Sequence, residues 1–239
     1  LGSSNTADYA IRSQISGTNN VLKGQENNLS TFNTVSGYGN EGTNISRSTI
    51  VGTRNNLKNG EDNVVIGDFH NFDGGKHNVV LGSMAAEERD VTKSFTNIFD
   101  SSTSTYTVKE LVATRRNTAN VENAVMLGYN TDVTRNGGVA LGSESIASVD
   151  KGIAGYDPTT KAASTDGSPT WKSTAAAISV GDSTGTTVLT RQITNVAAGS
   201  EDTDAVNVAQ LKRITADSTA NINNQLTQVN NRIDAVDSR

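Results

Sequence analysis

The sequence contains no cysteine, two prolines and one tryptophan, and its aromatic content is 5% over 239 residues. Without cysteine there is no disulfide framework, thiol nucleophile or thiolate metal site. Leu, Ile, Val and Phe make up only about a fifth of the chain, near the level below which an ordinary globular core cannot be built. The net charge of −5 is too small for self-repulsion to hold the chain open. No apolar run approaches the roughly 20 residues of a membrane-spanning helix. Lys and Arg are scattered and outnumbered, 20 against 25 acidic groups, so no electrostatic footprint for nucleic acid is present. A chain this poor in large apolar groups orders itself as a repeat, or by burying one face against identical partners.

Glycine is plentiful, and it is periodic. The strings TIVGTRNN, NVVIGDFH, NVVLGSMA, AVMLGYNT and GVALGSES share one frame, three small or apolar residues and then glycine. Gly52, Gly67 and Gly82 stand 15 apart, and Gly128 and Gly142 stand 14 apart. A looser copy ends at Gly37, in TVSGYGN. The β-branched runs before these glycines read as short strands, and the glycines read as the turns that close them. Leu22, Leu57, Phe72 and Val133 mark a second short strand in several repeats, and Asn20, Asn40 and Asn55 suit tight left-handed corners. A period near 15 fits one coil of a β-solenoid. No GxGxxG or GxxxxGK[ST] opens a helix, so the glycines are not read as phosphate loops.

Residues two before each glycine are Ile50, Val65, Val80, Met126 and Ala140, which are apolar like their neighbours. Strands apolar on both faces are buried on both faces. One face is expected to fill the coil and the other to meet a partner, which places these five residues at a subunit interface. Near the end, Ile222, Leu226, Val229, Ile233 and Val236 are spaced 4, 3, 4 and 3 in otherwise polar sequence. That heptad seam predicts a parallel coiled coil and leaves two or three strands open. Between solenoid and seam, Arg191 to Lys212 starts strand-like and turns helical, with Asp202 and Asp204 expected at the helix N-terminus. It has the character of an adaptor from a wide β-structure to a narrow rod.

A gap of 46 separates Gly82 from Gly128, which leaves an insertion at about 84–120. Insertions in repeat proteins form surface loops that often bind. Glu87, Arg89, Phe95, Phe99, Tyr106, Arg115 and Arg116 are the candidate adhesive residues, and the alternative is a hairpin that merely packs. His70 and His77, the two histidines, are read as solvated corner residues and not as metal ligands. Trp171 is read as an anchor for a core-poor segment. No catalytic constellation, metal site or cofactor is expected, and the chain is read as a non-enzyme.

The repeats VVIG, VALG and VMLG, the string ITNVAAGSEDTDAVNVAQLK and the tail LTQVNNRIDAVDSR resemble, in that order, the head, neck and stalk of YadA-like trimeric autotransporter adhesins of Gram-negative bacteria. The segment KGIAGYDPTTKAASTDGSPTWKSTAAAISVG is similar to sequence that joins head to neck in that family. The resemblance implies a mostly β chain. A trimeric left-handed parallel β-roll head would span 1–142, a joining segment 143–180, a neck 181–212 and the start of a short parallel coiled-coil stalk 213–239. It implies a homotrimer at the bacterial surface, held to the outer membrane by a C-terminal anchor absent from this sequence. Its partner would be a host-cell receptor, a matrix protein or another bacterium. A trimeric phage tail fibre and a left-handed β-helix acyltransferase are the alternatives.

Overall fold

A computed structural model of the chain describes residues 2–238. Leu1 and Arg239, which bound the expected head and stalk, lie outside the described residues. The chain divides into two compact units, one holding the chain through Gly167 with Trp171–Arg191, the other Ser168–Thr170 with the chain from Gln192 on. The first is β-structure, and the second carries the one helix of the described residues.

In the first unit the chain winds through stacked coils. One side of the stack is a nine-stranded parallel sheet that includes Thr34–Tyr38, Thr49–Thr53, Val64–Ile66, Val79–Leu81, Val125–Leu127, Val139–Leu141 and Ile178–Ser179. A second side is a five-stranded parallel sheet through Thr6–Asp8, Val21–Lys23, Glu41–Thr43, Asn56–Lys58 and Asn71–Asp73. A third is a line of parallel bridges, Thr31 to Ser46 to Glu61 to Lys76 to Glu122. Equivalent residues of successive coils sit in register, so Val35, Ile50, Val65, Val80, Met126 and Ala140 form one continuous column. This column is fully enclosed, packed with Leu22, Leu57, Phe72 and Ile45. At about 1.5–3 kcal/mol per buried large apolar side chain, it is the main source of cohesion in a chain with little else to bury.

These five expected interface residues therefore require a correction. Ile50, Val65, Val80, Met126 and Ala140 are at most 1% exposed within a single chain, so they fill the coil interior and cannot reach another subunit. The alternating geometry of the strand turns the residues one and three before each glycine outward instead.

The column glycines do more than turn the chain. Gly52 has φ +138°, and a Cβ built there would lie 1.8 Å from the Gly67 carbonyl oxygen; Gly67, at φ +146°, faces Gly82 in the same way. Backbone approaches backbone so closely from coil to coil that only glycine fits. Beside the last glycine of the column, Gly142, the Arg191 guanidinium bonds Ser143 O at 2.6 Å and Ser145 Oγ at 3.0 Å.

Asn20, Asn40 and Asn55 are not left-handed corner residues. The positive φ values fall one position earlier, at Asn19, Gly39 and Arg54, while the three asparagines are wholly buried. They form an internal ladder. Asn40 Oδ1 accepts Asn55 N–H at 3.1 Å and Asn55 Nδ2–H at 2.9 Å, and Asn55 Nδ2 also donates to Gly67 O at 2.7 Å. Asn33, Ser48, Asn63 and Asn78 form a second ladder, each accepting the backbone N–H one coil on. Buried amides here satisfy the corner backbone groups that no sheet ladder reaches.

The insertion is an antiparallel hairpin, Ala86–Thr96 with Thr103–Ala113. Val79–Leu81 pairs directly with Val125–Leu127, so the stack closes beneath the hairpin without losing register. The β-unit continues past 142, because Ile178–Ser179 pairs with Val139–Ala140 as the last strand of the nine-stranded sheet.

In the second unit the helix runs Val208–Asp237. Asn207 is its N-cap, accepting from Gln210 N, while the Gln210 side chain accepts from Asn207 N, a complete capping box. Asp202 and Asp204 are not in its first turn, contrary to expectation. Asp204 instead accepts from the backbone N–H groups of Ser200 and Glu201 at 2.9 and 3.1 Å, bonds that hold its carboxyl below the usual range. An asparagine three residues before a glutamine closes the helix start better than these aspartates do.

Candidate functional site

Two surfaces stand out on the β-unit. The first is the outer face of the nine-stranded sheet. Register stacks Val64, Val79, Val125, Val139 and Ile178 in one outward line, and Val51, Ile66, Leu81, Leu127 and Leu141 in another. Ile66, Val79, Leu81, Leu141 and Ile178 are between 37% and 69% exposed. In the preceding coils the same positions hold Gln14, Ser16, Thr34 and Ser36, in register with that face. Parallel sheets carrying apolar residues on both faces are rarely left open to water, and a contiguous stripe of this kind marks an interaction face.

The second is the hairpin, where the candidate adhesive residues fall into separate groups. Its strands are 11 residues each, about 35 Å of extended chain. Phe95 lies near the tip with Ile98 and Phe99, which are 85% and 92% exposed. Tyr106 is half-exposed opposite Lys93. Glu87 and Arg89, near the base, form an exposed ion pair (Arg89 Nε to Oε1, 2.6 Å).

Arg115 and Arg116 follow the second strand and lie at the base. Arg115 pairs with Asp132 at 3.2 Å and donates to Asn130 Oδ1 at 3.2 Å, and Arg116 donates to Asn71 Oδ1 at 3.0 Å. Arg54, from the corner after Gly52, donates to Leu111 O at 2.9 Å and approaches Glu110 at 3.7 Å, while Lys93 also pairs with Glu110 at 2.5 Å. These cations lower the Glu110 carboxyl pKa, with the Lys93 hydrogen bond as the largest cause. The tip is thus apolar and the base rich in ion pairs, at opposite ends of the hairpin.

His70 and His77 do not converge on a metal. His77 is exposed, with Nε2 3.5 Å from Asp62. It belongs to a surface ladder in which Arg47 bonds both Asp62 and Glu61, and Lys76 reaches Glu61 at 3.2 Å. His70, expected in solvent, is 1% exposed. It occupies the rung after Asn55, donating its backbone N–H to Asn55 Oδ1 (3.0 Å) and Nε2–H to Gly82 O at 2.5 Å, as the asparagine side chains donate to Gly52 and Gly67. Phe72 stacks on the ring at 6.0 Å. Burial pushes the imidazole pKa down, against smaller opposing contributions from Gly82 and Asn117. The signal for His70 was its place three residues after Gly67, where other repeats carry asparagine.

On the helix, Ile222, Leu226, Val229, Ile233 and Val236 are all exposed, at 49–69%. Thr215 and Thr219 continue the same spacing toward the N-terminus, their hydroxyls tied to Leu211 O and Thr215 O at 2.9 Å.

Comparison with known proteins bears on both units. Residues 192–234 match the family described as the coiled stalk of trimeric autotransporter adhesin. Over 76 residues, 32% of this chain, the sequence is 59% identical to autotransporter adhesin BadA of Bartonella henselae. Over 117 residues, 47% of this chain, it is 38% identical to autotransporter adhesin EhaG of Escherichia coli O157:H7. The matches cover 2% and 7% of those two proteins. Residues 192–234 are thus similar to the stalk of that family, and larger parts of the chain are similar to short stretches of two autotransporter adhesins.

Proposed function

We propose that this chain is the head, neck and first stalk turns of a surface adhesin, acting as a homotrimer that presents three identical binding faces without bond-making chemistry. The observation that carries this reading is the pair of unpartnered apolar stripes, one along the outer face of the nine-stranded sheet and one along the helix. Three copies packing the Ile66–Leu81 face about a common axis would bury the first, and a parallel coiled coil would bury the second. Handedness of the roll follows the family resemblance. On this reading the head extends to the strand Ile178–Ser179, the neck follows from 181, and the stalk helix begins at Val208. The larger protein would sit at the outer membrane, and the projecting hairpins would meet a host receptor, a matrix protein or another bacterium through weak contacts multiplied by valency.

The test is attachment of the 239-residue chain to cells and to immobilised matrix, compared with a version in which residues 86–113 are replaced by a short turn. Trimers by light scattering, with attachment lost in the shortened form, support the proposal. A monomer, or unchanged attachment, overturns it.

A further inference from the structure

We infer that the groove at the base of the hairpin is a binding site for an acidic saccharide, a deepening of the adhesive role proposed above. The groove, about 420 Å³, is bounded by Arg54, Asn56, Phe69, Asn71, the hairpin segment Glu110–Ala113 and the arginines Arg115 and Arg116. Arg54 faces Glu110 and Arg115 faces Asp132, which leaves Arg116 as the groove arginine with no carboxylate partner among the described residues.

Three features select the ligand class. Arg116 is exposed, and its guanidinium has one hydrogen bond, to Asn71. The remaining donors form the planar fork that suits a carboxylate or sulfate. Asn56 Oδ1 is buried and accepts no hydrogen bond, so turning this amide toward the groove breaks none at that oxygen, and the oxygen asks for a donor. A simple anion cannot satisfy it, whereas a sugar hydroxyl can. The half-buried Phe69 supplies an apolar wall against which a sugar ring can lie. Anionic group, hydroxyl donors and a partly apolar ring occur together in acidic saccharides. The two asparagines sit side by side in the sheet register, Asn56 opposite Asn71, and Arg54 is fixed by Leu111 O, so the wall is held by both roll and hairpin. The apolar tip at Phe99 plays no part in this site.

The experiment titrates the full chain with a heparin-derived tetrasaccharide, with sialyllactose and with neutral lactose, at low and at physiological salt. Variants are R116Q, N56L and, as a surface control, R135Q. Saturable binding of either acidic sugar, weakened by salt and by about tenfold in R116Q but not in R135Q, is expected. The sugar that binds tells whether sulfate or carboxylate is read. N56L should weaken binding while circular dichroism stays unchanged. Acidic sugars that bind no better than lactose, or R116Q indistinguishable from R135Q, overturn the inference. Attachment is scored separately: wild-type attachment without saccharide binding overturns this groove alone, whereas attachment that survives loss of the hairpin overturns the adhesive role of the hairpin.

Discussion

Asn55→Ala tests whether the buried amide ladder holds the coils together. The side chain makes three bonds, donating to Asn40 Oδ1 at 2.9 Å and Gly67 O at 2.7 Å, and accepting from His70 N–H at 3.0 Å. Asn40 Oδ1 keeps a partner after truncation, because the Asn55 backbone N–H still donates to it at 3.1 Å. The Gly67 carbonyl and the His70 N–H lose their Asn55 contacts. At about 1–3 kcal/mol for each buried polar group so deprived, the expected loss is about 2–6 kcal/mol. Asn55→Asp keeps the size and the acceptor but removes both donors, and should cost at least as much. Lys23→Ala, on an exposed strand position, should stay within about 0.5 kcal/mol. Urea unfolding followed by circular dichroism, at one fixed chain concentration, reads all three. A loss below about 1 kcal/mol for Asn55→Ala, with an unchanged denaturant slope, would refute the ladder as a structural element.

Three further expectations follow from the same packing. Val65→Asp places a carboxylate in the sealed core and should unfold the β-unit, whereas Ile66→Asp, one residue on, should leave its circular dichroism intact and lower the mass seen by light scattering; equal behaviour of the two would reverse the assignment of faces. Because burial lowers the His70 pKa from its ordinary 6.5, the unfolded chain takes up this proton first. Stability should therefore fall as pH drops below about 6.5 and level off below the folded value. Carboxylates lowered by their partners, such as Glu61 and Glu110, lose their contribution only further down, beneath the ordinary 4.5. His70→Asn, which restores the rung found in other coils, should flatten the upper window in urea titrations, and a slope that persists there would assign it elsewhere. Asn207→Ala removes the helix cap and should cost about 1 kcal/mol, visible as a lower melting temperature of the helical signal.

Much of the architecture is written in the spacing of glycines. A 15-residue period carries stacked coils because register repeats once per coil, and Val64–Ile66 over Val79–Leu81 is that period made physical. The heptad spacing from Ile222 likewise places a helix, although its start at Val208 is set by the Asn207–Gln210 box, a pair of polar residues that periodicity does not mark. The asparagine three residues after Gly17, Gly37 and Gly52 is visible in the sequence, but its role is not. Asparagine serves equally in left-handed corners and in buried ladders, and only the coil beneath it decides. His70 misleads for the same reason, since an imidazole placed to donate from Nε2 replaces an amide in a way that residue type does not announce.

The choice of face is the deeper ambiguity. When three successive residues are all apolar, alternation says that two faces are buried but not which one closes on its own chain. In this fold the glycine decides. Because Gly67 lies against Gly82 at backbone contact, the coils stack so that the middle residue, Val65, points to the interior, and Val64 and Ile66 are turned outward. A strand with one inward and two outward apolar residues leaves more apolar surface outside than within. The outer face is therefore the larger unsatisfied surface of the repeat, and pairing with like faces, as proposed above, would complete a core that one chain holds only in part.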